Sequence, residues 1–342
     1  MIGGEFPISL QTVMEANESM IRRGNITEDS SCFYYSSGRS ALYYILDYLH
    51  NNSNVTKILL PNYICDSVLV PIEKNGLSYS FYPLDESLQI EQNEFLKLYS
   101  NSSVVLLVNY FGLQDLTDQI NFVRKVDSNA IIIEDDVMAY FEFKKELKGA
   151  DFKYTSLRKT FPIPDGGIVK TNHKLPVVKT PNTYGQYKAA ASIMKNMRDI
   201  LFDDNVYLNI SRIGSSLIND ELELGISFVA EKLFREVDEA QVIKQRKTNA
   251  SFLADELEAK GIYPMLPLRK DKVPLFLPVK LSNRDEIRKR LFDRQIFCPI
   301  HWNNLQNDQN YKSNIAETEL SLVIDQRYNE KDMAKIVSLI TD

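Results

Sequence analysis

Lys159 sits in the run YTSLRKTFPIPDGGIVKT, Tyr154 to Thr171, just ahead of a proline-stiffened turn and a double glycine. A lysine amine can condense with a carbonyl to form a Schiff base. Pyridoxal phosphate is the commonest such partner, and once bound it acts as an electron sink. Thr155 and Ser156 offer hydroxyls to a phosphate, and Pro162 and Pro164 fix φ in the chain that follows. Gly166 and Gly167 are read as the place where backbone approaches a bound ring. A surface turn carrying an ordinary solvated lysine is the competing reading of the same letters.

A second group able to do chemistry ends the apolar run NAIIIEDDVMAYF, where Glu134, Asp135 and Asp136 stand in succession. A carboxylate at a partly buried strand end costs free energy unless a proton, a cation or a donor satisfies it. A protonated pyridine nitrogen would do so; a bound Mg²⁺ or a helix cap would also. Upstream, Ser36, Ser37, Gly38, Arg39 and Ser40 precede an apolar-periodic helix read over Ala41 to Leu49. Free backbone N–H groups at such a start favour an anion, although a plain serine N-cap has the same letters. Pro61-Asn62-Tyr63-Ile64-Cys65 follows a strand end, where open α/β sheets bind ligands, and Tyr63 there is either a stacking or a core aromatic.

The elements that must hold these residues alternate. Strands are expected at Lys57 to Leu60, Ser78 to Tyr82, within SSVVLLVNYFG, within NAIIIEDD and from Ile168, with a short helix from Ser67 to Asn75. Helices are expected over Thr183 to Asp204 and, as one long segment, Ile226 to Leu257. The remainder reads strand (Leu275 to Leu281), helix (Arg284 to Arg294), strand (Phe297 to Ile300), strand (Leu320 to Ile324) and helix (Glu330 to Ile340). The class is α/β, with a large parallel-sheet domain over 1–235 and a smaller α+β domain over 236–342, joined by the long helix.

Composition narrows the function. With 342 residues, 44% hydrophobic and 25% charged, the chain suits a two-lobed globular enzyme, and its net charge of −6 argues against a nucleic-acid binder. No apolar run is long enough to span a bilayer and no secretory leader is recognisable, so a cytoplasmic protein is expected. Cys32, Cys65 and Cys298 lack paired spacing and His50, His173 and His301 are scattered, so neither a disulfide framework nor a metal site is expected. Asn25-Ile26-Thr27 and Asn101-Ser102-Ser103 read as polar loop residues rather than glycosylation sites.

Taken together, the glycine-serine helix start, the aromatic after a βα turn, the strand-end acid and a lysine 24 residues after Asp135 form a far more specific pattern than any one of them. The chain resembles the fold-type I pyridoxal-phosphate enzymes, and among them the DegT/DnrJ/EryC1/StrS sugar aminotransferases, from Ile2-Gly3-Gly4-Glu5 to Ile324-Asp325-Gln326-Arg327-Tyr328. That resemblance implies a large domain with a mostly parallel seven-stranded sheet. It makes Lys159 the Schiff-base lysine and proton carrier, and Asp135 the partner of the pyridine nitrogen. Gly38, Arg39 and Ser40 become the phosphate turn and Ser156 a further phosphate ligand, although the family's serine usually stands where this chain has Tyr154. Tyr63 or Cys65 falls where the ring-stacking aromatic is usual. Met138 replaces a customary glutamine against the ring, and the segment that often reaches a partner subunit's site has no clear counterpart. Lys159 also separates the chain from a dehydratase branch that carries histidine there.

The activity so implied is amino transfer, from glutamate by family habit, to a keto sugar linked to a nucleotide diphosphate. The setting is polysaccharide or secondary-metabolite biosynthesis, in a homodimer. Tyr110, His301, Trp302 and Arg327 are the expected substrate contacts, being placed at or after strand ends. Two other readings stay open: a binding or regulatory protein that keeps the fold without turnover, and a pyridoxal-phosphate enzyme acting on an amino acid, with Arg327 or Arg246 for its carboxylate.

Overall fold

The computed structural model describes residues 1–19, 31–53, 55–101, 103–198, 200–201, 203–302 and 313–341. The sequon Asn25-Ile26-Thr27 and Ser102 of the other lie outside them. Its strands are β1 (Ile2–Gly3), β2 (Cys32–Tyr35), β3 (Lys57–Pro61), β4 (Ser78–Tyr82), β5 (Ser103–Val108), β6 (Ile131–Asp135), β7 (Phe152–Ser156), β8 (Gly167–Thr171), β9 (Phe276–Lys280), β10 (Ile296–Phe297) and β11 (Glu319–Val323). Seven of these described strands form one sheet in the order β2-β8-β7-β6-β5-β3-β4. The run from β7 to β4 is parallel, and β8 lies antiparallel to both β7 and β2.

The central strands are apolar throughout because both sheet faces are covered. Side chains alternate between faces along a strand, so each strand feeds two cores. Val104, Leu106 and Val108 join the cluster containing Leu42, Ile45, Leu46 and Leu49 of the Gly38–Asn52 helix. Val105 and Leu107 join Leu59, Ile120 and Ile132 on the opposite face. The same alternation sorts the three acids of β6. Ile133 belongs to the helix-side cluster, which puts Asp135 on that face and Glu134 with Asp136 on the other.

The remaining chain builds a second core. Strands β9 and β11 pair antiparallel over five residues, and the helices Glu239–Glu258, Arg284–Asp293 and Glu330–Thr341 pack on them through Leu253, Leu291 and Ile336. Ile2 joins this cluster because β1 pairs parallel with β10.

Three sequence expectations change. The helix read over Thr183 to Asp204 ends at Asn196, and a new one spans Asp204–Leu217, capped by the Asp203 carboxylate accepting from Asn205 N–H at 2.6 Å. The single helix read over Ile226 to Leu257 is two, Phe228–Arg235 and Glu239–Glu258, because Asp238 accepts from Gln241 N–H at 3.0 Å and starts a fresh N-terminus. The strand read over Phe297 to Ile300 pairs only at Ile296–Phe297, matched to the two residues that β1 offers. Among the described residues no helix is long and apolar enough to cross a membrane.

Candidate active site

Lys159 lies on the one-turn helix Leu157–Thr160, which leaves the end of β7. Asp135 ends β6, and β6 and β7 pair so that Asp135 stands opposite Tyr154. The Gly38–Asn52 helix points its N-terminus at the same place, with Ser37 as cap accepting from Ser40 N–H at 3.0 Å. These elements enclose a cavity of about 130 Å³ whose lining includes Gly38, Cys65, Asp135, Ser156, Lys159 and Trp302. A second cavity, of about 440 Å³, opens beside it against the smaller core. Met138, Arg158, Lys159 and His301 line both, so the lysine stands where the two meet.

Burial sets the charge states. Lys159 is pushed down to about 8, chiefly by desolvation and then by the cations Arg158 and Arg39. Burial pushes Asp135 up to about 6, opposed by the Tyr154 hydroxyl, the Val137 N–H at 2.9 Å and the charge of Lys159. Asp135 is therefore mostly ionised at neutral pH, while a usable fraction of Lys159 is a free amine. On the opposite face of β6, Lys153 bonds Glu134 at 3.1 Å and lies 3.8 Å from Asp136. Burial first, then Glu134, holds the Asp136 carboxyl well above the usual range.

The residues singled out from sequence divide into those at the cavities and those behind them. Lys159, Asp135, Gly38, Arg39, Cys65, Met138 and Ser156 line the smaller cavity. Ser40 does not: its hydroxyl donates to the Leu222 carbonyl, and Ser37 faces the cavity in its place. Thr155 donates to the Asp136 carbonyl at 2.8 Å and so points to the other face.

Tyr63 and Tyr110 are both fully buried, their rings stacked 5.6 Å apart, with the Tyr110 hydroxyl donating to the Tyr63 carbonyl at 2.5 Å. They lie behind Trp302, whose ring packs 4.7 Å from Tyr63 and lines the cavity. His301 shares an interaction of 2.8 Å between Nδ1 and Ser321 Oγ, and the Ser321 hydroxyl donates to Glu319 at 2.5 Å.

Arg327 lines the larger cavity but is pinned by two bonds to Asp325, at 2.7 and 2.8 Å, and by the Gly4 carbonyl at 3.1 Å. Arg246 is fully buried on the same cavity, donating to the Leu275 carbonyl at 2.9 Å.

The glycine pair has another task than the one read from sequence. A Cβ on Gly167 would collide with the Ser37 carbonyl and lie 2.8 Å from Gly38 N, so this glycine lets β8 press against the helix start, not against a ring. Sequence reasoning also passed over Tyr154 and Arg158 as site residues. Tyr154 was findable from pairing, since it sits directly across from Asp135. Arg158 carried no signal beyond its adjacency to Lys159.

A large mostly parallel sheet with a strand-end acid on one strand and a lysine just past the next defines the fold-type I architecture of pyridoxal-phosphate transferases. No known sequence family and no curated protein matches the chain. Solved structures match over nearly all of it. The sugar aminotransferase CalS13 from Micromonospora echinospora is 15% identical, with TM-score 0.68 over 100% of this chain and 99% of that one. The PLP-form of Spr1654 from Streptococcus pneumoniae, described as a sugar aminotransferase, is 13% identical, with TM-score 0.71 over 99% and 97%. A DegT DnrJ EryC1 StrS aminotransferase from Brucella abortus is 14% identical, with TM-score 0.65 over 96% and 94%. At these identities the likeness establishes a shared fold.

Proposed function

We propose that the protein is a pyridoxal-phosphate-dependent aminotransferase that moves an amino group from glutamate to a keto sugar carried on a nucleotide diphosphate, in the biosynthesis of a polysaccharide or secondary metabolite. One observation carries the reading: buried Lys159 and buried Asp135 share a cavity that begins at a helix N-terminus and continues past the lysine into a larger chamber.

The residues fit the cofactor. Gly38 leaves room between Val137 and Ser156, where an added Cβ would lie 3.2 and 3.4 Å from their side chains. Backbone N–H groups of the turn, with Ser37 and Ser156, would hold the phosphate. Asp135 would hold the ring nitrogen, and Cys65 and Met138 would lie against the ring. Bound there, pyridoxal phosphate supplies an aldehyde for the amine and an electron sink for the carbon that bears it.

The chain's own residues supply the rest. Lys159 in its uncharged form is the nucleophile and, once released, the base that carries a proton to and from the substrate carbon. With Arg246, Arg288 and Arg327 set against the carboxylates of Glu5 and Asp325, the larger chamber carries an excess of positive charge, suited in turn to a dicarboxylate donor and a diphosphate-bearing acceptor. His301, fixed through Ser321 and Glu319, is placed to orient the acceptor.

We further read the chain as two lobes, 1–235 and 236–342, in a cytoplasmic homodimer. Exposed Ile200, Leu201, Val206 and Ile213 support an apolar contact between copies, and free Cys32, Cys65 and Cys298 suit a reducing compartment.

The test is an absorption spectrum of wild type and Lys159→Ala, each incubated with pyridoxal phosphate and then with excess glutamate. Wild type is expected to gain a visible band that glutamate bleaches and that the variant lacks. A wild type with no such band overturns the reading.

A further inference from the structure

We infer that Arg158 is a ligand of the cofactor's phosphate, so that this anion is gripped by a guanidinium on the residue next to the reactive lysine. The inference rests on the functional reading above and deepens it. Arg158 lines both cavities, and among the described residues its guanidinium makes no hydrogen bond. Among the described residues the acid it approaches within 4.0 Å is Glu5, at 3.8 Å, beyond hydrogen-bond reach. Glu5 is itself engaged, accepting from Lys188 and from Ser211, each at 3.0 Å.

A second guanidinium stands close by. Arg39, in the first turn of the Gly38–Asn52 helix, lines the same cavity and, among the described residues, bonds a neutral group, the Asn219 side-chain amide oxygen, at 2.6 Å. Burial and then the charge of Arg158 depress Arg39. Tyr184, whose hydroxyl donates to the Ser36 carbonyl of that turn, also lies within the field of Arg158.

Thus two guanidinium forks and the positive end of a helix border one cavity, whereas its lining carboxylate among the described residues, Asp135, is already held by Tyr154 and Val137. A phosphate monoester is the anion that this excess of donors and charge would take. It carries close to two negative charges and oxygens enough for both forks, which a single carboxylate does not.

The experiment compares two ligands that differ only in that group. Cofactor-free protein is titrated with pyridoxal 5′-phosphate and with pyridoxal in phosphate-free buffer, following quenching of Trp302, the chain's single tryptophan, which lines the cavity. Wild type is expected to favour the phosphorylated ligand strongly. Arg158→Gln is expected to weaken that ligand, relative to pyridoxal, about ten- to hundredfold, the range for losing a charge-assisted hydrogen bond; pyridoxal, which feels the change only through Lys159 as both ligands do, serves as the control for folding. Arg158→Lys, which keeps the charge and loses the fork, should lie between them and carries the test if the glutamine variant does not fold.

If Arg158→Gln keeps the wild-type preference, Arg158 is not a phosphate ligand, and the functional reading stands. An unchanged preference together with weakened glutamate bleaching would place the arginine on the substrate instead. A wild type quenched by neither ligand sinks the functional reading and this inference with it.

Discussion

An amine that must be uncharged to react gains from a site that disfavours its charge. Burial and two neighbouring arginines hold Lys159 near 8, against an ordinary value of 10.5. The rate at which cofactor-free protein captures pyridoxal phosphate should therefore rise with pH and level off a little above 8, as the ammonium form is lost. Arg158→Gln removes one of the causes that lower it, so the midpoint should move upward; a stopped-flow profile of the visible band between pH 6 and about 10 checks both. A midpoint that stays fixed in the variant would mean that Arg158 does not act on the lysine, leaving burial and Arg39 to set it. At this scale residue type singled out Lys159 and a strand-end position singled out the acids, and the structure brings Lys159 and Asp135 to one cavity. Which of Glu134, Asp135 and Asp136 faces the cavity follows from alternation, once Ile133 is known to face the Gly38–Asn52 helix. For Tyr63 and Tyr110 a strand-end position does not say whether a ring lines the cavity or supports Trp302 from behind, and the structure buries both behind it.

Among the elements, β8 and the Gly38–Asn52 helix depend on each other through a contact with no side chain between them. Gly167→Ala would drive a methyl into the backbone of Ser37 and Gly38, which cannot rotate away. A loss of about 3 kcal/mol in unfolding free energy is expected, read from the denaturant midpoint, because such overpacking is relieved only by moving a strand or a helix start. A variant as stable as wild type would show that β8 can shift without cost. Strands with short, bounded apolar runs were readable, as at Lys57–Pro61, whereas Phe152–Ser156 was not, because its letters FKYTS are half polar although every one of them is buried. The helix breaks near Asp203 and Asp238 were not, because the apolar spacing continues through them and only the carboxylates mark new starts.

Across the whole molecule, the buried acids behind the site make folding sensitive to pH. The Asp136 carboxyl is held far above its ordinary 3.8, so the native state keeps a proton that the unfolded chain gives up. Stability should fall as pH rises from that ordinary value toward the native one. Asp136→Asn removes this dependence and should unfold less readily than wild type at pH 8, by on the order of 1–3 kcal/mol, with the advantage shrinking toward pH 4 in paired denaturant titrations. Equal pH slopes for the two proteins would show that Asp136 ionises normally. Gly3, Gly4, Glu5 and Phe6 line the larger cavity, and the strand that holds them in place, Ile2–Gly3, has Ile296–Phe297 as its partner. During synthesis these residues leave the ribosome long before that partner exists, and the Arg327 clasp on the Gly4 carbonyl comes later still. The lysine cavity waits for late chain too, since His301 and Trp302 line it, and the chamber beside it waits longest, until Arg327 has emerged to hold its first wall in place.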